Sequence, residues 1–424
     1  MHLNTWKLFV VAFLSLFIIG CQNQDYNEVN YEKSLEAFSP DTLEEVLKEQ
    51  VEEDFTASRS MVVKYDIAYH VYSKYIDPAT GNGSGLFIYV RNLQTDESEM
   101  VELEHVRDKI IGMFSITKHP ADEKLYVQYV DRTDENNRKV YVDEFDIQSQ
   151  EFQELLSFSD GSSGVLNPIS TVNENNHTLN VFIPDRANQA RIRWFEIDLN
   201  NYSSERLDDI PFHTGGIRTY GYAADDGIMY LPVAATGQLH LVTLDLNKNE
   251  LLSTNQIDKI NHREPPRMTD VALYKDDILL VKYLRPARYS NRPNTGLIGE
   301  LVVNVVDLNE SKSVGIQALA GFDKSEGVTH YIASDQVDEE HFVSVYTTVD
   351  EVHEWHLHER HENYNHTYVS LFKLGEGNNV EEIDKVVLDP SWANRVTVEN
   401  NQIIVTYNDT SADHGAWLQI FKMK

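Results

Sequence analysis

Between residues 353 and 366 the chain reads His-Glu-Trp-His-Leu-His-Glu-Arg-His-Glu-Asn-Tyr-Asn-His, a dense run of metal-ligating side chains. In an extended strand His356 and His358 point to the same side, so two imidazoles can converge on zinc, copper or nickel. His353, His361 and His366 supply further nitrogen donors, and Glu354 or Glu359 could complete a shell. The spacing is His-Glu-x-His twice, not the His-Glu-x-x-His of a metalloprotease helix. The competing reading is a solvated polar hairpin extension, because local richness in His is a signal of composition alone. These imidazoles also change charge between about pH 5 and 8, which would allow pH sensing. Calcium is not expected: Asp245, Asn247 and Asn249 open like a calcium loop, but Glu250 stands where glycine is needed, and ordinary turn chemistry accounts for them.

A second set is cationic. His262, Arg263 and Arg267, followed by Arg285, Arg288, Tyr289 and Arg292, gather positive charge in a chain with 68 acidic residues and a formal net charge of −32. Guanidinium forks bind carboxylate or phosphate in pairs of hydrogen bonds and stack on rings, so an anionic polymer or an acidic protein loop suits them. The competing reading is that these arginines pair with neighbouring Asp and Glu. The overall charge repels nucleic acid, which is excluded as a general partner. No Gly-x-Ser-x-Gly elbow, phosphate-binding glycine loop or paired-cysteine metal site occurs, so no catalytic motif is recognised.

The elements that must position these residues repeat along the chain. From about residue 60 an apolar β-type run, a loop, a second run and a turn recur, the copies including Val140-Tyr141-Val142-Asp143-Glu144-Phe145-Asp146-Ile147 and Val302-Val303-Asn304-Val305-Val306-Asp307-Leu308. The copies end on apolar residues at 93, 147, 199, 246, 308, 374 and 423, spaced 47 to 66 residues apart, near the period of propeller blades. The expected fold is all-β, a propeller of seven four-stranded antiparallel blades, with six or eight as alternatives. Blades cover one another's faces and leave short protected edges. The seventh copy has no fourth strand after Lys424, so either an N-terminal segment completes it or that blade has three strands. The pattern resembles the bacterial extracytoplasmic propeller lipoproteins, in the style of TolB-like and quinoprotein-like propellers. That resemblance covers roughly residues 60 to 424 and implies architecture only, for no Trp-Asp ending, Asp-box or quinone-docking signature accompanies it.

In such a fold the loops after second and fourth strands share one rim. Asp77 to Gly85, Arg132 to Arg138, Gln256 to Arg267, Arg285 to Gly299 and Val349 to His366 are the long ones, and long loops on a rigid scaffold usually carry binding. By analogy with other propellers, His213, Arg218, Trp392, Asn394 and Arg395 fall near the mouth of the central channel.

The single cysteine, Cys21, follows Ile18-Ile19-Gly20 at the end of the apolar stretch Leu8 to Ile19, itself preceded by Lys7. This resembles a bacterial lipoprotein signal, residues 1–20 being the signal peptide and Cys21 the acylated residue. A stretch of twelve residues, apolar but for Ser15, is too short to cross a hydrocarbon core about 30 Å thick as a helix. Residues 21–60 read as an acidic tether in which Ser39 caps and Pro40 to Glu53 form a short amphipathic helix, with Leu43, Val46, Leu47 and Val51 on one face. Residues 61–424 are the propeller. The expected role is a lipid-anchored, non-enzymatic recognition or scaffold module for an envelope protein or anionic polymer. Two alternatives are an envelope hydrolase or lactonase working at the channel mouth, and capture of a transition metal by the His-rich loop.

Overall fold

The computed structural model describes residues 42–423 except 53–54, 57–60, 78–81, 96, 160–167, 186–189, 213–216, 218, 220, 236, 261–266, 275–276, 287–297, 321–325, 330–331, 351–363 and 410–414. Strands such as Ile278–Pro286 and Ile298–Asp307 carry consecutive apolar residues, Ile278 to Val281 and Leu301 to Val303, the pattern of a strand covered on both faces. Neighbouring residues then serve opposite partners. In Lys124–Asp131, Leu125, Val127 and Tyr129 join one hydrophobic cluster, whereas Tyr126 and Val130 join the next.

Among the described residues the strands pair antiparallel into five sheets of four, nine, five, four and nine strands, within which groups of four strands form the blades. Blade 1 is Met61–Lys64, Ile67–Asp77, Asn82–Asn92 and Ser98–Glu102, and blade 2 is Ile110–Lys118, Lys124–Asp131, Lys139–Asp146 and Phe152–Phe158. Blade 3 is Ile169–Asn173, Thr178–Asp185, Arg191–Asp198 and Ser204–Arg206, and blade 4 is Ala223–Asp225, Ile228–Ala235, Gln238–Asp245 and Glu250–Lys259. Blade 5 is Arg267–Tyr274, Ile278–Pro286, Ile298–Asp307 and Lys312–Ala320, and blade 6 is Ala333–Gln336, His341–Asp350, Tyr364–Leu374 and Val380–Leu388. Blade 7 takes Ser391–Glu399, Gln402–Asp409 and Ala416–Met423 from the C-terminal end and Leu43–Glu52 from the N-terminal end. The repeated segments of the sequence are the third strands.

First strands of adjacent blades lie against one another around an axis, blade 7 against blade 1 included, except that blades 3 and 4 meet through a shared apolar cluster, so the blades form a closed β-propeller. Separate apolar clusters fill the spaces between blades, for example Trp194, Leu231 and Val242 between blades 3 and 4, and Tyr72, Ile404 and Leu418 between blades 1 and 7.

The helix expected over Pro40 to Glu53 is replaced, from Leu43 onward, by the closing strand. Its apolar residues repeat at helical spacing, but a β-bulge at Val46 lets the same residues serve a strand. Leu43 packs toward blade 6, Leu47 and Val51 pack toward blade 1, and Val46 is exposed. The unpaired edge of Ala416–Met423 supplies backbone partners that outweigh a marginal local helix preference. The fourth strand left open by the sequence is therefore N-terminal. Buried Asp384 of blade 6 fixes its start, one carboxylate oxygen accepting the N–H groups of Thr42 at 2.9 Å and Leu43 at 2.8 Å.

Replacing Asp384 with Ala leaves those N–H groups without their acceptor and should cost about 1–3 kcal/mol, read as a lower urea midpoint with an unchanged slope. An unaltered midpoint would show that the clamp contributes nothing.

Candidate functional site

The two rims differ in chemistry. On one, the tight rim, two-residue turns join first and second strands in blades 1, 4 and 7, and Tyr65 (φ 54°), Asp66 (φ 60°), Asn400 (φ 49°) and Asn401 (φ 60°) carry the positive angles that hairpin turns require. Carboxylates there close turns. Asp146 accepts the N–H groups of Gln148 and Ser149, and Asp198 that of Asn200. Asp245 accepts from Asn247 and Lys248 and holds the Lys248 ammonium at 2.6 Å, so the segment resembling a calcium loop is a turn. The Lys248 ammonium, first among several causes, keeps the Asp245 carboxyl below the usual range.

The opposite, open rim carries most of the longer connections, though blade 4 turns there at 236–237 and blade 6 passes to blade 7 through Asp389 and Pro390. Strand pairing also runs further than the sequence suggests, to Asp77, Lys259, Pro286 and Asp350, and it shortens those connections. The arginines whose side chains are described on this rim have acidic neighbours. Glu135 receives Arg132 at 2.9 Å and Arg138 at 2.8 Å, Asp209 receives Arg191 at 3.2 Å and Arg206 at 2.8 Å, and buried Asp185 bonds Arg193.

Of the cationic set, Arg285 lies 3.8 Å from buried Asp258, which also accepts the Tyr283 hydroxyl at 2.6 Å. Its charge is matched within the fold. Arg267 lies on the first strand of blade 5, while Arg263, Arg288, Tyr289 and Arg292 fall outside the described residues, as does Cys21.

In the channel set, Trp392, Asn394 and Arg395 lie on the inner strand of blade 7, and His213 and Arg218 fall outside the described residues. Asn394 does not face an open mouth as the sequence suggests. It is fully buried, its amide donates to Thr347 at 2.9 Å, and its oxygen accepts Ser391 at 2.8 Å. Thr367 bonds both Thr347 and Ser391 at 2.8 Å, completing a four-residue circuit between blades 6 and 7. Arg395 donates to the Asn394 carbonyl.

Three inner groups escaped the sequence reading. Asp270 of blade 5 meets the fully buried Lys282 ammonium at 2.6 Å, and that ammonium also stands 4.7 Å from the centre of the Phe342 ring. Asp335 of blade 6 accepts the N–H of Val398 at 2.6 Å and the Thr397 hydroxyl at 3.1 Å, tying blade 6 to blade 7. Burial, and then the negative charge of Asp270, raise the Asp335 carboxyl to about 6. The signal available was a lone charge, Lys282, inside an otherwise apolar run.

Histidines cluster in two further places. His105, in the 3₁₀ turn Glu104–Val106 between blades 1 and 2, donates from Nε2 to fully buried Asp143 at 2.7 Å, and Tyr129 donates to the same oxygen at 3.0 Å. A buried carboxylate thus orients a part-exposed imidazole, with Lys109 3.9 Å from the centre of the neighbouring Tyr141 ring. On the tight rim His119, Asp122 and His177 bring ligand atoms within 4.8 Å of one another. That set does not fit a divalent metal as it stands. His119 Nδ1 accepts the N–H groups of Ala121 at 3.2 Å and Asp122 at 2.8 Å, so the proton of the neutral ring sits on Nε2, the nitrogen a metal would need. Burial holds this imidazole below its ordinary pKa, in keeping with a neutral turn-closing role.

Of the histidines in this run His366 alone is described, since His353, His356, His358 and His361 fall outside the described residues. It is exposed and lines a surface pocket of about 410 Å³ between blades 6 and 7 with Glu45, Lys48, Asp389 and Gln419.

No protein-family model matches the chain, and no curated sequence is significantly similar to it. Solved structures share the fold. A PL25 polysaccharide lyase, an ulvan lyase bound to -[GlcA(1-4)Rha3S]-, matches with a TM-score of 0.53 and 10% identity over 90% of this chain and 96% of its own. The polysaccharide lyase Uly1 matches with a TM-score of 0.51 and 10% identity over 95% of this chain and 93% of its own. The β-propeller domain of the Trilobed protease from Pyrococcus furiosus gives a TM-score of 0.47 at 10% identity, over 88% and 98%. At such identity the likeness is one of fold.

One buried imidazole yields a measurable pH dependence. His70 in blade 1 is fully buried, stacks on Tyr72 at 5.9 Å, and has no hydrogen-bond partner for either ring nitrogen among the described residues. Burial lowers its pKa from 6.5 to about 3. The unfolded chain therefore binds the extra proton between those values, and this contribution to stability is present above pH 6.5 and lost as the pH falls toward 3. Relative to the wild type, His70→Leu should gain roughly 1.4 kcal/mol per pH unit on acidification through that window, followed by urea unfolding. Parallel stability curves would refute the assignment.

Proposed function

We propose that this protein is an exported lipoprotein, acylated at Cys21, whose propeller is a non-enzymatic recognition module offering its open rim to an envelope protein or anionic polymer. The observation that carries this reading is the division of labour between rims: turn-closing carboxylates occupy the tight rim, and most longer connections gather on the other. The inner polar residues support a scaffold role, because Asp335 and Asn394 spend their hydrogen bonds on joining blades.

Arg288 and Arg292 are the cations to test, since Arg285 answers buried Asp258 and its loss would perturb the fold. Pull-down of envelope components with Arg288→Ser and Arg292→Ser combined should lower partner recovery roughly tenfold, the worth of one or two charge-assisted contacts. Equal recovery removes these arginines from the recognition surface. Zinc, copper or nickel binding by His353, His356, His358, His361 and His366 remains part of the proposal as a secondary property of the open rim.

A second reading, an enzyme acting on an anionic polysaccharide, is favoured by the His105–Asp143 pair, for a carboxylate-oriented imidazole is the arrangement of a general base. The fold-sharing lyases make uronate-containing polymers the substrates to try. Under this reading, appearance of unsaturated ends in such a polymer should fall by about 10²-fold or more in His105→Ala. Absence of turnover by the unmodified protein rejects it.

A further inference from the structure

We infer that the tight rim faces the membrane and that the open rim is presented away from it, an orientation that rests on the lipid-anchor reading of Cys21. Strand direction carries the inference. The third strand of every blade runs from the open rim to the tight rim, so Met423, at the end of Ala416–Met423, lies on the tight rim, where its N–H reaches the carbonyl of Asn401. The closing strand pairs antiparallel to it, with Leu43 opposite Met423 and Glu52 opposite Ala416. The chain therefore joins the propeller at the tight rim and climbs toward the open one. Asp384 secures that junction by binding the N–H groups of Thr42 and Leu43.

Chain length decides how firmly this orients the body. Twenty residues separate Cys21 from Thr42. A random coil of twenty residues would average about 25 Å end to end, and full extension sets a ceiling near 70 Å. Turning the open rim toward the lipid would require the chain to run back along the outside of blade 7, whose ten-residue closing strand is about 33 Å tall. That path exceeds the average reach, so the tight-rim-inward arrangement dominates. The same rim exposes Asp122, Asp225, Asp226, Asp338, Glu339 and Glu340, which repel anionic headgroups over roughly 8 Å at physiological salt. The rim thus stands off the lipid surface instead of docking on it, and the tether spans the gap.

The test uses the acylated full-length protein on vesicles carrying an acceptor-labelled lipid. Donor dyes are placed singly on Gln148→Cys, in the turn after the third strand of blade 2, and on Asn136→Cys, in the connection before it. Both positions are exposed, and because Cys21 is the sole native cysteine, its acylation leaves the new thiol free. The eight-residue strand between them separates the dyes by about 26 Å, so transfer from position 148 should be roughly twofold stronger than from position 136. Equal transfer, or stronger transfer from 136, overturns the orientation. Sedimentation reads the anchor separately: Cys21→Ala should remain in the supernatant, and its recovery with the vesicles would sink the anchor and the orientation together, whatever the dyes report.

Discussion

Every blade is apolar on both faces, and no blade is stable unless a neighbour covers each of them. That requirement forces closure. It explains why separate clusters recur between blades and why residues of one strand alternate between two clusters, as Tyr126 and Val127 do. The junction of blade 7 with blade 1 brings together segments far apart in sequence. It is closed by pairing the two ends of the sequence, with buried Asp384 holding the incoming backbone.

Several of the polar groups inside this apolar ring join blades to one another. The circuit of Thr347, Thr367, Ser391 and Asn394 between blades 6 and 7, and the bonds from Asp335 to Thr397 and Val398, replace apolar contact with directional hydrogen bonds near the axis. Lys282 is matched by Asp270, which offsets the cost of burying an ammonium. These groups rigidify the scaffold on which the outer connections are held.

Much of the architecture was legible in the sequence because third strands are chemically repetitive: runs such as Val302 to Leu308 are apolar but for Asn304 and Asp307 and end on a turn. The closing strand was not. Leu43, Leu47 and Val51 satisfy a helical stripe in isolation, and only the vacant edge of Ala416–Met423, together with the bulge at Val46, makes them a strand. The site was legible only in part. Arg285 could be nominated as a cation, but its partner Asp258 lies in another blade, and no local pattern links them. The amide of Asn394 illustrates the same limit, since a residue placed near the channel by chain position turned inward to bond Thr347. Pairings across blades depend on ring geometry and leave no trace in the spacing of a single segment.

The junction of chain ends also dictates a timetable. Leu43 to Glu52 are made before the intervening blades and their partners, Ala416 to Met423, after them, so the closing strand must wait through the synthesis of the propeller before it can pair. The ring cannot seal until both of these strands have been made. Six blades must assemble beside an open seam, whose exposed backbone and apolar flank make that interval the period of greatest vulnerability to misassociation and proteolysis.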